Sequence, residues 1–243
     1  MKTVLLYSLK GGVGKSAAAV NIAYAAAQEG RRTLLCDLDA QGSASFYFRV
    51  KPKGTSAKKL MKEKLAGAIK GSDYENLDIL PSSFSYRKLP VVLADAKKPH
   101  KKLADSFDPF SEEYDLLVLD SHAGIDVEAE GLLRTADRIL MPIIPTPLSV
   151  NTYRTVIEFL QRHELNRDKV SAFFSMVDGR RKLHREVMEN LREREKRFLS
   201  TAIPYSAEVE KMGSYREPLL ARRAKTKAAL AYAALWKELS SLL

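Results

Sequence analysis

The run Lys10-Gly11-Gly12-Val13-Gly14-Lys15-Ser16 constrains this chain more than any other feature. It lies between an apolar stretch, Val4 to Tyr7, and an alanine-rich stretch, Ala17 to Gln28. Strand, glycine-rich turn and helix in that order form the context that a phosphate-binding loop requires. The three glycines let the backbone approach phosphates closely and turn its N–H groups inward. The helix start adds a positive dipole end. Lys15 can then reach the β and γ phosphates, and the Ser16 hydroxyl can ligate Mg²⁺. Two lysines flanking three glycines at a helix start would repel one another without an anion between them.

The rest of the chain reads as an α/β fold. Apolar runs alternate with helical patterns, which implies a mainly parallel sheet covered on both faces. Strands are expected at Thr3–Ser8, Thr33–Asp37, Leu77–Leu80, Leu116–Asp120, Ile139–Ile143, Val170–Met176 and Leu199–Ile203. Helices are expected at Ala17–Gln28, Ala57–Ile69, Val127–Ala136, Asn151–His163, Leu183–Lys196 and Lys227–Leu242, the first of them closed by Gly30. Phe84–Pro109 mixes lysines, prolines and short apolar pairs and gives no clear pattern. With 243 residues, 45% of them hydrophobic, and no repeat or long linker, a single domain over 1–243 is expected.

Two further acidic sites fall at strand ends. Cys36-Asp37-Leu38-Asp39-Ala40-Gln41-Gly42 places two acids at the carboxyl end of the second strand, the edge where open α/β sheets bind ligands. Leu116-Leu117-Val118-Leu119-Asp120 is an apolar run ending in an acid, and downstream of a phosphate loop Asp120 is the residue expected to hold Mg²⁺ through water.

The phosphate loop departs from the plain pattern: Leu9 stands where a glycine is expected, and Lys10 opens the loop. In this it resembles the deviant Walker A ATPases of the ParA/MinD superfamily, whose loop reads K-G-G-x-G-K-[ST]. The likeness extends along most of the chain. Asp37 to Gly42 is similar to D-x-D-P-Q-G, with Ala40 for proline. Asp120-Ser121-His122-Ala123-Gly124 is similar to D-[ST]-P-x-G, with His122 for proline. Pro142 to Ser149, Ser175 to Arg180, Ile203-Pro204 and Arg216 to Leu219 resemble segments of the ParA branch.

The resemblance implies a three-layer P-loop NTPase fold with about seven or eight strands. It implies ATP and Mg²⁺ as cofactors, bound by Lys10, Gly11, Gly12, Val13, Gly14, Lys15, Ser16 and Ala17, with Met176 and Pro204 against the base. It further implies that Asp39 activates the attacking water, that Ser16, Asp37 and Asp120 serve the metal, and that Lys10 reaches the nucleotide of a second subunit. Catalysis would then rest on Lys10, Lys15 and Asp39, in an ATP-dependent homodimer. His122 is expected to be a tolerated loop substitution, and Asp126 to approach the dimer interface.

Lysine and arginine total 40 against 30 acids, a net charge of +10, and this excess suggests a polyanionic partner. Lys51, Lys53, Lys58, Lys59, Lys62 and Lys64 crowd one segment, and Lys97, Lys98, Lys101 and Lys102 another. In ParA-type relatives C-terminal basic residues bind DNA non-specifically, which points to Arg216, Arg222, Arg223, Lys225 and Lys227. Nine residues precede the loop, so no helix-turn-helix extension and no sequence-specific operator binding is expected. The implied function is partition or positioning of a cargo with a ParB-like or adaptor partner that stimulates hydrolysis. The alternative is a MinD-like ATPase anchored to a membrane through Ala228–Leu243; a metabolic P-loop enzyme fits less well. Cys36 stands alone, which leaves no disulfide or chelating pair, and no leader or long apolar span is visible, so a cytoplasmic, nucleoid-associated protein is expected.

Overall fold

The computed structural model describes residues 1–51, 55–62 and 65–243. Lys53 and Lys64 of the first basic cluster lie outside the described residues.

Among these, eight strands form one sheet: β1 (Lys2–Leu6), β2 (Thr33–Asp37), β3 (Lys70–Gly71), β4 (Leu77–Leu80), β5 (Leu116–Asp120), β6 (Arg138–Ile143), β7 (Val170–Val177) and β8 (Phe198–Pro204). Their order is β3-β4-β2-β5-β1-β6-β7-β8, and every neighbouring pair is parallel except the short β3–β4 edge. The central strands are apolar at consecutive positions because both of their faces are buried. Val4 and Leu6 of β1 enter one core, and Leu5 and Tyr7 the other; Leu117 and Leu119 of β5 oppose Leu116 and Val118 in the same way.

One face is covered by α1 (Lys15–Gln28) and the helix Lys227–Ser240, the other by the helices Val127–Thr135 and Pro147–Arg162. This is the three-layer arrangement of a P-loop NTPase. Alanine allows α1 to lie close to the sheet, and Ala18, Ala19, Ala23 and Ala26 are fully buried. Asn21 is buried with them. Its amide donates to the Ala17 carbonyl (2.8 Å), and its Oδ1 accepts from the Leu220 N–H (3.1 Å), which ties the helix to the C-terminal region. Gly30 takes φ +83° just beyond the helix, as a C′ residue requires.

The helix Lys227–Ser240 uses its apolar side for packing. Tyr232, Leu235, Trp236 and Leu239 are buried against the sheet and α1, while Leu230 faces solvent. Its Glu238 carboxylate accepts the Ser200 and Thr201 N–H groups, each at 2.8 Å, and so closes donors on the outer edge of β8.

Two segments differ from the sequence reading. The helix expected over Ala57–Ile69 is divided into Ala57–Leu60, capped by the Ser56 hydroxyl, and a 3₁₀ turn at Ala66–Ala68 containing Gly67, a residue costly inside a helix. Phe84–Pro109 contains the helices Leu89–Ala94 and Pro99–Asp105, each with a proline in its first turn, where a missing N–H costs nothing.

Candidate active site

Strand order builds the site. β5 lies between β1 and β2, and the register pairs Leu6 with Asp120 and Asp120 with Asp37. The phosphate loop leaves β1 at that edge, so the loop and both acids meet at the carboxyl ends of three adjacent strands. The loop's curvature rests on Gly12 (φ +71°) and Gly14 (φ +94°). At Gly14 a side chain would also meet the Ser175 Oγ at 3.0 Å, so the end of β7 presses directly on the loop.

Above the loop lies a cavity of about 440 Å³. Gly11, Gly12, Gly14, Lys15, Ser16 and Ala17 line one part of it. Met176 and Pro204, from the ends of β7 and β8, line another. Met176 holds φ +54°, a left-handed turn at the strand's end. Asp39 borders the same cavity. Val13 has its side chain buried in the protein, which leaves only its backbone for a ligand. Lys10 is exposed, with its N–H donating to the Ser8 Oγ (3.2 Å) and its side chain outside the cavity wall.

Asp37 and Asp120 are fully buried. Asp37 Oδ2 accepts from both the N–H and the hydroxyl of Ser45 (2.7 Å each), but its Oδ1 and both oxygens of Asp120 lack hydrogen-bond partners among the described residues. Burial, and then the charge of Asp37, push the Asp120 carboxyl up to about 8, with Ser16 and Lys15 opposing. Burial pushes Asp37 up to about 6, with the Ser45 bonds opposing. Orphaned buried oxygens beside a serine hydroxyl form a hard oxygen donor set that suits Mg²⁺. No group of three or more metal-ligating His, Cys, Asp or Glu side chains occurs among the described residues.

The Asp39 and Asp120 loops are braced against the sheet. The Ser121 hydroxyl donates to the Leu6 carbonyl (2.8 Å), the Leu38 N–H to the Asp120 carbonyl (2.9 Å), and the Ser82 hydroxyl to the Asp39 carbonyl. His122 sits in an ion-pair cluster, with Nε2 3.0 Å from Asp126 and Nδ1 3.6 Å from Glu128. The hydrogen bond with Asp126, followed by Glu128, raises the imidazole to about 10 and keeps it charged at neutral pH. Asp126 also caps the helix Val127–Thr135 by accepting the Ala129 N–H (2.8 Å), so its carboxylate is engaged within its own subunit.

Matches to known proteins agree with this fold. The profile of a family described as AAA domain (AAA_31) covers residues 1–171. The chain belongs to this family. Within it, the chain is a member of the ParA branch of the ParA/MinD superfamily of P-loop ATPases. It is 24% identical to the chromosome partitioning protein ParA of Myxococcus xanthus, over 98% of this chain and 87% of that protein. It superposes on a putative plasmid partition protein of Borrelia burgdorferi bound to AMPPNP, with TM-score 0.85 and 21% identity over 100% of this chain and 99% of the other. The septum site-determining protein MinD of Pyrococcus horikoshii, complexed with Mg-ADP, gives TM-score 0.79 and 20% identity over 99% and 96% of the two chains.

Sequence reasoning alone did not reach Ser45, which holds Asp37, or Ser175, which abuts Gly14. Ser45 belongs to no motif, and Ser175 only opens the Ser175–Arg180 segment without a role of its own there; strand register places both. Tyr47, Tyr205, Ser206, Val209 and Glu210 also line the cavity without a signal in the sequence pattern.

The C-terminal basic residues have local partners. Arg216 lies over the Phe46 ring (4.6 Å), Arg222 over Tyr215 (3.8 Å) and beside Glu217 (3.3 Å), and Arg223 beside Glu208 (3.6 Å). Lys225 and Lys227 are exposed, and no ion pair involves either among the described residues.

Proposed function

We propose that the chain is an ATP-hydrolysing dimeric switch, acting as one ATPase domain over 1–243. In the ATP state it binds DNA without sequence preference and positions a cargo together with a ParB-like or adaptor protein that stimulates hydrolysis. The observation that carries this reading is the meeting of a two-lysine glycine loop with two buried carboxylates at one sheet edge, Asp120 with neither oxygen hydrogen-bonded and Asp37 with one oxygen left over, among the described residues. ATP is held by the loop backbone and Lys15, with Met176 and Pro204 against the adenine. Ser16, Asp120 and Asp37 hold Mg²⁺, which supplies charge neutralisation to the phosphates. Asp39, at the cavity wall, orients the attacking water. Lys10 is exposed and does not line its own cavity, and it completes the site of a second subunit. ATP then joins two subunits, and hydrolysis removes the contact that distinguishes dimer from monomer.

Net charge favours a polyanionic partner, and Arg216, Arg222, Arg223, Lys225 and Lys227 are the proposed DNA contacts. Paired contributions from two subunits would raise the number of neutralised phosphates and steepen the salt dependence. The membrane-anchored alternative is disfavoured because the C-terminal helix already buries Tyr232, Leu235, Trp236 and Leu239. Among the described residues, no helix is long and apolar enough to cross a membrane. The proposed setting is the cytoplasm, on the nucleoid.

The test is Lys10→Ala. It is expected to bind ATP as a monomer, with dimerisation and stimulated turnover lost in sedimentation and phosphate-release assays. Wild-type assembly and turnover in that variant would exclude a lysine acting in trans.

A further inference from the structure

Of the four histidines, His184 alone is buried, at 2% exposure. It stands in the first turn of the helix Lys182–Arg194, whose flanking residue Arg181 supplies no side-chain cap. His184 closes the helix start instead: its Nδ1 accepts the Asp178 N–H (3.1 Å) from the turn that follows β7. An accepting Nδ1 requires the neutral ring with its proton on Nε2. Nε2 is itself buried and has no partner among the described residues. The ring thus leaves one donor unpaired while its other nitrogen holds the turn.

That turn reaches the nucleotide cavity in two directions. Two residues before Asp178 stands Met176, which lines the cavity from a left-handed backbone (φ +54°), and before it Ser175, which abuts Gly14 of the phosphate loop. The Val177 carbonyl accepts the Tyr205 N–H (2.9 Å). The turn is thereby joined to the segment after β8, where Tyr205, Ser206 and Val209 line the same cavity. A shift at Asp178 would therefore be felt in the walls contributed by both strands.

The bond to Asp178 depends on protonation. A proton on Nδ1 would set one donor against another. Burial, and then Arg181, hold the imidazole below its ordinary 6.5, with Asp178 opposing. Two other cations lie nearby, and both are engaged in the turn itself: Arg180 Nε donates to the Asp178 carboxylate (3.0 Å) and Arg185 to the Gly179 carbonyl (2.6 Å).

We propose that His184 is a positioning residue for nucleotide binding: as a neutral ring it holds the turn after β7 in the shape the nucleotide cavity needs, and its protonation releases that turn and weakens binding. This rests on the nucleotide-binding role proposed for the cavity. Because the neutral form binds better, affinity rises with pH through the titration of His184 in the free protein and levels off above it.

The experiment titrates the whole chain, His184→Asn and His184→Leu with Mg-ADP between pH 5 and 7.5. Asparagine places Oδ1 where Nδ1 stands and accepts the same N–H without titrating; leucine accepts nothing. The ratio of wild-type to His184→Asn affinity cancels the titration of the ADP phosphates and of the other histidines. The two proteins should bind alike at pH 7.5, with wild type falling behind by up to about fivefold at pH 5, as one hydrogen bond implies. His184→Leu should be about fivefold weaker than His184→Asn throughout. Because the leucine variant can fail to fold, the wild-type ring resonances give a second measure: His184 should show the Nε2–H tautomer, and Mg-ADP should move its titration to lower pH. A ratio independent of pH, or a titration unmoved by Mg-ADP, would overturn the proposal and leave the ATPase reading standing. No binding of Mg-ADP by wild type at any pH would refute the nucleotide reading and this proposal with it.

Discussion

Replacing Asp120 by asparagine should make the nucleotide-free protein more stable while removing its response to Mg²⁺. Asp120 is fully buried beside Asp37 and carries two unpartnered oxygens. Its carboxyl titrates near 8 in the folded chain against an ordinary value of 3.8. An acid whose folded value is raised binds its proton more tightly when folded. Stability is therefore fully retained below about 4 and declines as pH rises towards about 8. At roughly 1.36 kcal/mol per pH unit, the cost at neutral pH has an upper limit of about 4 kcal/mol. Asp37, raised in the same way, shares this proton, so a gain of about 2 kcal/mol is expected for Asp120→Asn, or roughly 4–8 °C in melting temperature for a chain of this size. Thermal unfolding between pH 5 and 8, with and without Mg²⁺ and ATP, reads both effects. Wild type should lose stability as pH rises and regain it with Mg²⁺ and ATP, whereas the variant should show a flatter pH profile and little gain from Mg²⁺. A variant less stable than wild type without nucleotide would refute the reasoning, because a satisfied carboxylate would then have been removed.

Other substitutions test separate parts of the account. Asp39→Ala should bind ATP and accumulate as a dimer with turnover reduced at least about 100-fold, as loss of water positioning implies; normal turnover would move that role elsewhere. Gly14→Ala combines φ +94° with a 3.0 Å approach to the Ser175 Oγ, and should weaken ATP binding about tenfold or more in a fluorescence titration. Reversing charge at Arg222 and Arg223 should weaken binding of random-sequence duplex at low salt and flatten its salt dependence; unchanged binding would remove that patch from the DNA surface.

The sequence carried the fold because its strands are short, consecutively apolar and separated by helical periods. Val4, Leu35 and Val118 need no partner information to read as doubly buried strand residues. β3 escaped because two residues at an edge carry no periodicity, and in place of the helix expected over Ala57–Ile69 stand the helix Ala57–Leu60 and a 3₁₀ turn at Ala66–Ala68. In the site, the loop and Asp120 were legible because their chemistry is local to one motif. Ser45 and Ser175 were not, since each takes its place only through strand order and helix packing between distant segments. His122 was visible as a departure from a pattern, but its charged state depends on Asp126 and Glu128, whose positions follow from the helix that Asp126 caps.

The central claim is that a triphosphate and Mg²⁺ join two copies of this chain. Sedimentation velocity of the wild-type protein with ADP, and with ATP under conditions that slow turnover, measures it directly. A monomer with ADP and a dimer with ATP and Mg²⁺ is the predicted result. A single species unchanged by either nucleotide would contradict the account.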